Sequence, residues 1–297
     1  MKKYFKIYLL ILLVIANVLI FSLAHERSQH ELTVAFLDVG QGDAIFIETP
    51  SGRQMLIDGG LPGGAVLREL GKVMPFYDRS IDVILATHAD QDHIGGLNDV
   101  LNRYSVNLFV RTMTTSTSAV FESLLATAEK KKIKQEIITA PENVDFGDGS
   151  HFDILFPDED TSGWETNESS IVGKMIYGDS SFLLTGDSPI LIEKYLVEKY
   201  GPVLKSDVLK AGHHGSKYSS SELYVETVSP AYSVISAGLN NSYGHPTQEV
   251  LDILAKYKSK IAETLGKGSV IFKSNGQTII LLKNASGSAT ALDGEVF

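Results

Sequence analysis

The sequence contains no cysteine among its 297 residues. That excludes a disulfide framework and any zinc site built on thiolates, so a metal would have to be held by histidine and carboxylate. Between residues 32 and 283 there is no linker-like stretch and no internal repeat, and that span reads as one domain. Positive charge is in short supply, with 26 Lys and Arg against 36 Asp and Glu for a formal charge of -10. Such a balance argues against a surface that attracts nucleic acid everywhere. A local basic groove remains compatible with it. Lys210, Lys217, Lys267 and the Lys256 to Lys260 segment are candidates for one, with ordinary solvated lysines as the alternative. A long apolar run occurs once, from Ile7 to Ala24, which is too little to make a pore. What is there in quantity, 43% hydrophobic and 21% charged residues, is the composition of a globular protein with a sizeable core.

The apolar run follows a basic start, Met1-Lys2-Lys3-Tyr4-Phe5-Lys6, and is interrupted only by Asn17 and Ser22. Its length approaches the roughly 20 residues needed to cross a hydrocarbon core. Lysines before it and His25-Glu26-Arg27-Ser28 after it place the N-terminus inside and the remainder outside. Residues 1–24 are therefore expected to be a signal anchor, giving a single-pass membrane protein with its catalytic part outside. The alternative is a signal peptide cleaved near Ala24, after the small-x-small Ser22-Leu23-Ala24, followed by secretion. A buried globular helix would show a polar stripe that is missing here. Residues 25–31 are expected to be a polar linker, 32–283 the domain and 284–297 a tail.

Strands are expected over 32–37, 44–48 and 54–57, then a helix around 65–74 and a strand at 81–86. Alternation continues with strands at 107–110, 133–139, 152–156, 171–177, 182–185, 207–211 and 232–236. Helices are expected at 119–132, 188–200, 219–228 and 247–257, with Pro189 in a first turn and Thr247 as an N-cap. An Asn-Gly turn at Asn275-Gly276 closes a final hairpin. The Asp38 to Asp43 loop, flanked by glycines, could bring backbone close to a ligand, although a plain tight connection is the commoner use of such a loop.

The chemistry gathers at strand ends. Thr87-His88-Ala89-Asp90-Gln91-Asp92-His93-Ile94-Gly95-Gly96 follows the 81–86 strand, and its two imidazoles and two carboxylates would repel or stay unsatisfied unless a cation or hydrogen bonds held them. Asp187 follows the 182–185 strand. Gly212-His213-His214-Gly215-Ser216 follows the 207–211 strand, and His245 lies before the 247–257 helix. Five of the eight histidines fall in these loops. One histidine alone is more often solvated or packed than ligating; it is the clustering that points to metal.

With these residues the chain resembles the metallo-β-lactamase superfamily and, within it, the extracellular hydrolase domain of ComEC-type competence proteins. The motifs that carry the resemblance are Asp38-Val39-Gly40-Gln41-Gly42-Asp43, Leu56-Ile57-Asp58-Gly59-Gly60, the Thr87 to Gly96 stretch, Leu184-Thr185-Gly186-Asp187, His213-His214-Gly215-Ser216 and Gly244-His245-Pro246, in one order over residues 32 to 282. The resemblance implies an α/β fold of four layers, an αββα sandwich, with a metal site at one edge and one apolar helix before it. His88, Asp92 and His93 match ligand positions of the superfamily's HxHxDH motif, and Asp187 matches the carboxylate that can bridge two ions. Asp58 matches an aspartate that orients ligands from behind. His213 or His214, and His245, are candidates for the C-terminal ligands. Asp90 stands where the motif has its second histidine, and no histidine lies near Asn167-Glu168-Ser169-Ser170, where the superfamily places another; both departures are similar to the competence-type branch. An oxygen-rich site of this kind shifts preference from Zn²⁺ toward Mn²⁺ and leaves one or two divalent ions open.

The implied function is an exported metal-dependent hydrolase, a phosphodiesterase or nuclease attacking DNA with a hydroxide held on the metal, in DNA uptake or in degradation of extracellular DNA. Asp92 and Asp187 would hold the nucleophile, and whichever of His213 and His214 is not a ligand would protonate the leaving alkoxide. The polytopic channel that accompanies such a domain in competence proteins is not in this sequence, so uptake would call for a separate DNA-uptake channel as partner. Two alternatives share the motifs: a hydrolase of another exported phosphodiester, ester or lactone, and a membrane-tethered binding module that cleaves nothing.

Overall fold

The computed structural model describes residues 2–28 and 31–282; the expected tail, 284–297, lies outside them. Helix α1 (Lys2–Ser28) carries the apolar run and continues into the segment expected as linker. From Tyr4 to Phe21 its mean hydropathy is 2.4 and none of it is buried against the rest of the chain. A core helix would be covered by its own domain. This one is long and apolar enough to cross a membrane, as an anchor or a signal sequence would be.

Strands β1 (Leu32–Phe36), β2 (Ile45–Glu48) and β3 (Gln54–Ile57) are followed by helix α2 (Ala65–Val73) and strand β4 (Ser80–Ala86). Helices α3 (Gln91–Ile94) and α4 (Leu97–Arg103) lead to β5 (Ser105–Thr112), and α5 (Ala119–Lys130) leads to β6 (Lys134–Ile138). The second half runs through β7 (Glu142–Asp145), β8 (Ser150–Phe156), β9 (Val172–Tyr177), β10 (Ser180–Leu184) and α6 (Ile190–Tyr200). It continues with β11 (Val208–Lys210), α7 (Glu222–Val228), β12 (Tyr232–Ile235), α8 (Gln248–Lys256) and β13 (Lys260–Glu263), and closes on the hairpin of β14 (Val270–Ser274) and β15 (Ile279–Leu282). The strands form an eight-stranded sheet in the order β15-β14-β1-β2-β3-β4-β5-β6 and a seven-stranded sheet in the order β13-β12-β11-β10-β9-β8-β7.

The apolar runs have both faces buried, which is why they do not alternate with polar residues. On β1, Leu32, Val34 and Phe36 enter the core between the sheets, while Ala35 enters the core under the helices of the first half. Helix α4 meets that second core with Leu97, Val100 and Leu101, and α8 covers the other sheet with Val250 and Leu254, the three-and-four spacing of a helix with one buried face. Phe272 joins the two sheets: its ring lies 6.1 Å from that of Phe36, 5.9 Å from that of Phe182 and 5.5 Å from that of Tyr232, each edge-on. The result is the expected αββα sandwich.

Two edge strands, β7 and β13, were not expected from the sequence. Both are largely exposed and polar, and pairing with β8 and β12 makes them strands. Thr247 does stand at the N-cap of α8, but its hydroxyl donates to the Gly215 carbonyl at 3.2 Å and caps nothing. Strands β3 and β4 run parallel, as do β10, β11 and β12. Their carboxyl ends therefore meet at one edge of the sandwich, where open α/β sheets commonly place a site.

Candidate metal centre

Five of the groups picked from the sequence are delivered by those strand ends. Asp58 follows β3, Thr87 and His88 follow β4, Asp187 follows β10, and His213 and His214 follow β11. The loop between β1 and β2 arrives from the side, and glycine lets it do so. Gly42 has φ +106°, and a Cβ there would meet the Asp92 carbonyl oxygen at 1.8 Å. Only a glycine permits this approach, which puts Asp43 under α3 with its backbone N–H donating to that same carbonyl at 3.3 Å.

Three buried imidazoles are oriented from behind. His93 Nδ1 lies 2.8 Å from Asp58 Oδ2, and a carboxylate only accepts, so Nδ1 carries the hydrogen. His214 Nδ1 donates to the Ser236 carbonyl at 2.9 Å. The Thr87 hydroxyl donates to Asp58 Oδ2 at 2.7 Å and so accepts from His88 Nδ1 at 3.0 Å. With every Nδ1 spoken for, each neutral ring has its Nε2 lone pair to offer. Nε2 of His88, His93 and His214, and Oδ1 of Asp187, are all buried without a hydrogen-bond partner. Buried polar atoms left in this way are costly. Two of those nitrogens, on His93 and His214, lie 3.3 and 3.4 Å from the Asp187 carboxylate, and such a set of acceptors is one a divalent cation would satisfy.

Asp187 sits at the middle. Its Oδ1 is 3.3 Å from His93 Nε2 and its Oδ2 is 3.4 Å from His214 Nε2 and 3.7 Å from His213 Nε2. Its backbone N–H donates to Ser170 Oγ at 3.2 Å, so the segment without the superfamily's extra histidine serves to hold Asp187. Asp92 Oδ2 approaches His214 Nε2 at 3.3 Å, and Asp90 Oδ2 lies 3.7 Å from His88 Nε2. Burial raises a carboxyl's pKa, but His214 and His93 beside Asp187 outweigh it and hold that carboxyl well below the usual range. Burial, with His93 adjacent, pushes His88 down to about 3, which keeps it neutral. Burial also opposes charge on His214, yet Asp187 and Asp43 raise it to about 9.

His213 and His214, adjacent in sequence, take different places. His214 is 1% exposed and faces Asp92 and Asp187, whereas the His213 side chain is 28% exposed at the cavity rim. The cavity, of about 120 Å³, is bounded by Asp90, Asp92, Asp187, His213, His214, His245, Gln41 and Tyr243. His245 turns a buried, unpartnered Nδ1 into this region. All nine candidates from the sequence, Asp58 included, thus meet at one edge.

Two groups were not anticipated. Asp43, His93, Asp187 and His214 bring ligand-type atoms within 4.8 Å of one another. Asp43, however, lies on the Nδ1 side of both rings, 3.9 Å from His93 and 3.6 Å from His214, behind the nitrogens that face the cavity. Its own partner is Lys210, whose Nζ is 2.5 Å from Asp43 Oδ2 and 3.8 Å from Asp187 Oδ1 and donates to the Gly186 carbonyl at 3.0 Å. Lys210 is 0% exposed, so it belongs to the interior of this site and not to a basic surface. Of the other lysines considered from the sequence, Lys256 and Lys267 pair with Glu222 and Glu263, both at 2.5 Å.

The His213–Ser216 loop is braced by a further buried acid. Glu193 accepts from the backbone N–H of Ser220 and, at 2.8 Å, from that of Ser221, while Ser220 Oγ accepts from Gly212 N–H at 2.9 Å. Burial pushes the Glu193 carboxyl from 4.5 up to about 7 despite those donors. The folded state therefore keeps a proton that the unfolded chain gives up between those values, and stability falls as pH rises from 4.5 to about 7. The full effect is about 3 kcal/mol. Urea unfolding of wild type and Glu193→Gln at pH 5 and pH 8 should show the variant gaining on wild type by up to that amount; a difference that does not change with pH would refute it.

Comparison with known proteins places these observations. The family model described as the metallo-beta-lactamase superfamily matches residues 37–238. The ComE operon protein 3 of Bacillus subtilis (strain 168) is 32% identical over 259 residues, 81% of this chain and 33% of that protein. Recombination protein 2 of Haemophilus influenzae is 31% identical over 264 residues, 88% of this chain and 31% of that protein. The chain thus spans about a third of the length of the curated relatives it matches. Among solved structures, the fold protein YhfI of Bacillus subtilis superposes with a TM-score of 0.54 over 82% of this chain and 100% of that one, at 13% identity, a likeness of fold alone.

Proposed function

The chain belongs to the metallo-beta-lactamase superfamily, and from that premise we propose that it is an exported metal-dependent phosphodiesterase acting on DNA. The observation that carries this reading is the set of buried, unpartnered atoms: Nε2 of His88, His93 and His214 with Oδ1 of Asp187. His93, His214, Asp92 and Asp187 would hold the ion, with His88 and Asp90 beside them. A divalent ion there would supply Lewis acidity and the means to activate water at neutral pH. Carboxylates among the donors favour Mn²⁺ alongside Zn²⁺.

The remaining steps fall to side chains of this chain. Asp92, whose carboxyl is held below its ordinary range by His214 and His93 against the effect of burial, would stay ionised and orient the attacking water. His213, at the rim with no Nε2 partner closer than Asp187 at 3.7 Å, would give a proton to the leaving oxygen. DNA as substrate is supported by the relatives, whose names concern competence and recombination. For location, α1 would anchor the chain with Lys2, Lys3 and Lys6 inside and the domain outside; full protection of the domain from protease on intact spheroplasts would overturn that placement.

The deciding experiment is hydrolysis of DNA with Mn²⁺ or Zn²⁺, comparing wild type, Asp92→Asn and His213→Ala. Asp92→Asn should lose metal-dependent cleavage. His213→Ala should slow cleavage by about 10²- to 10⁴-fold for an alkoxide leaving group and much less for p-nitrophenolate, which leaves without a proton. Metal-dependent cleavage equal in all three proteins would end the proposal. Metal binding without turnover would leave a binding module.

A further inference from the structure

Tyr243 bounds the metal cavity yet takes no part in holding an ion. Its ring lies 5.8 Å from that of His245 at an interplanar angle of 23°, a near-parallel stack. The residue is 67% exposed, so one face rests on imidazole and the other meets solvent. Behind it the rings continue inward: His245 to His213 at 5.5 Å, His213 to His214 at 5.9 Å, His214 to His93 at 5.2 Å. The open face of Tyr243 is thus the outer end of a row of rings that leads to the buried ligand positions.

The loop carrying Tyr243 is built rather than loose. The Asn241 amide donates to the carbonyls of Gly238 at 2.9 Å and His245 at 2.6 Å, and Asn241 Oδ1 accepts from His245 N–H at 2.9 Å. Gly238 N–H donates to Gln41 Oε1 at 3.2 Å, tying this loop to the one that delivers Asp43. A ring presented in advance costs a ligand less to bind than one that must be ordered. The neighbouring Asp90 and Asp92 would repel a phosphate approaching by itself, so a substrate gains by being gripped elsewhere as well.

We infer that Tyr243 is a base-stacking platform that selects single-stranded nucleic acid over phosphodiesters without rings, such as polyol phosphates. This rests on the phosphodiesterase reading above. Nucleic acid is the phosphodiester polymer that carries a flat ring one sugar away from each phosphate, and stacking on an aromatic side chain tolerates any base. In a duplex both faces of a base are covered, so only an unpaired base can use the platform.

The test uses a fluorescent oligothymidylate, the same strand with one abasic tetrahydrofuran residue, and polyglycerol phosphate, each with the full chain, Mn²⁺ and wild type, Tyr243→Ala or Tyr243→Phe. Wild type and Tyr243→Phe should cleave beside a thymine about 5- to 150-fold faster than beside the abasic residue, the range that stacking of one base spans. Tyr243→Ala should lose that preference while unfolding at the wild-type temperature. The inference is overturned by a preference that survives in Tyr243→Ala, by wild type showing none, or by polyglycerol phosphate being cleaved as fast as the oligonucleotide. If nothing is cleaved, the phosphodiesterase reading fails separately, and anisotropy binding of the same two oligonucleotides decides: equal affinity for both overturns the platform, and a preference lost in Tyr243→Ala supports it.

Discussion

Asp187→Asn is expected to strip the centre of its ion while leaving the fold in place. Asp187 reaches His93 with one oxygen and His214 and His213 with the other, and its Oδ1 is buried without a hydrogen-bond partner. The amide keeps the shape and one acceptor but removes the charge around which the other donors gather. Metal affinity should fall by more than the roughly 10- to 100-fold that loss of a group behind the ligands costs, and cleavage should go with it. Asp43→Asn provides the contrast. Asp43 lies behind the rings, so in a variant that stays folded its effect on affinity should be confined to that smaller range. Titration with Mn²⁺ and Zn²⁺, read calorimetrically and by metal content after gel filtration, separates the two. An Asp187→Asn protein that binds as wild type would rule out the assignment of Asp187 as a ligand.

The second large effect is expected in stability. Lys210 and Asp43 form an ion pair at 2.5 Å with exposures of 0% and 1%. Burial works against both charges, and each is the strongest influence holding the other charged: Lys210 draws the Asp43 carboxyl down, and Asp43 raises the Lys210 ammonium. A buried pair of this kind contributes little over an apolar replacement, yet removal of one member strands the other. Lys210→Met and Asp43→Asn should each cost about 3–5 kcal/mol, whereas the double variant should recover most of that loss. Urea unfolding in EDTA gives the double-mutant cycle. Single variants within 1 kcal/mol of wild type, or strictly additive losses, would show that the pair is not the unit described.

Much of this was legible in the chain because its signals are local. The strands buried on both faces announce themselves as apolar runs, as in Leu32 to Leu37, and α4 and α8 by three-and-four spacing. The loop from His88 to His93 declares a site by density of charge. The edge strands β7 and β13 were not legible, since half-exposed strands such as Glu142–Asp145 and Lys260–Glu263 carry charge where central strands carry apolar residues.

Lys210 is the sharper case. In sequence it resembles any lysine at a strand end and was a candidate for a basic surface. Its burial follows from Asp43, which is far away in sequence and reaches it only because Gly42 lets the loop between β1 and β2 pass against Asp92. His213 and His214 are likewise indistinguishable as letters. Their backbones, at φ 47° and 57°, send one ring to the rim and the other to the interior.

By itself the sequence determined the run of strands and helices, through periodicity, and, through motifs that resemble a known family, the four-layer fold and the residues expected at one edge of it. Only the tertiary structure decided which nitrogens of His93 and His214 approach Asp187, that His214 lies deeper than His213, that Asp43 and Lys210 underlie the centre, and that Tyr243 stands open beside it. Those are relations between residues distant in the chain, set by how the two sheets pack, and no local pattern encodes them.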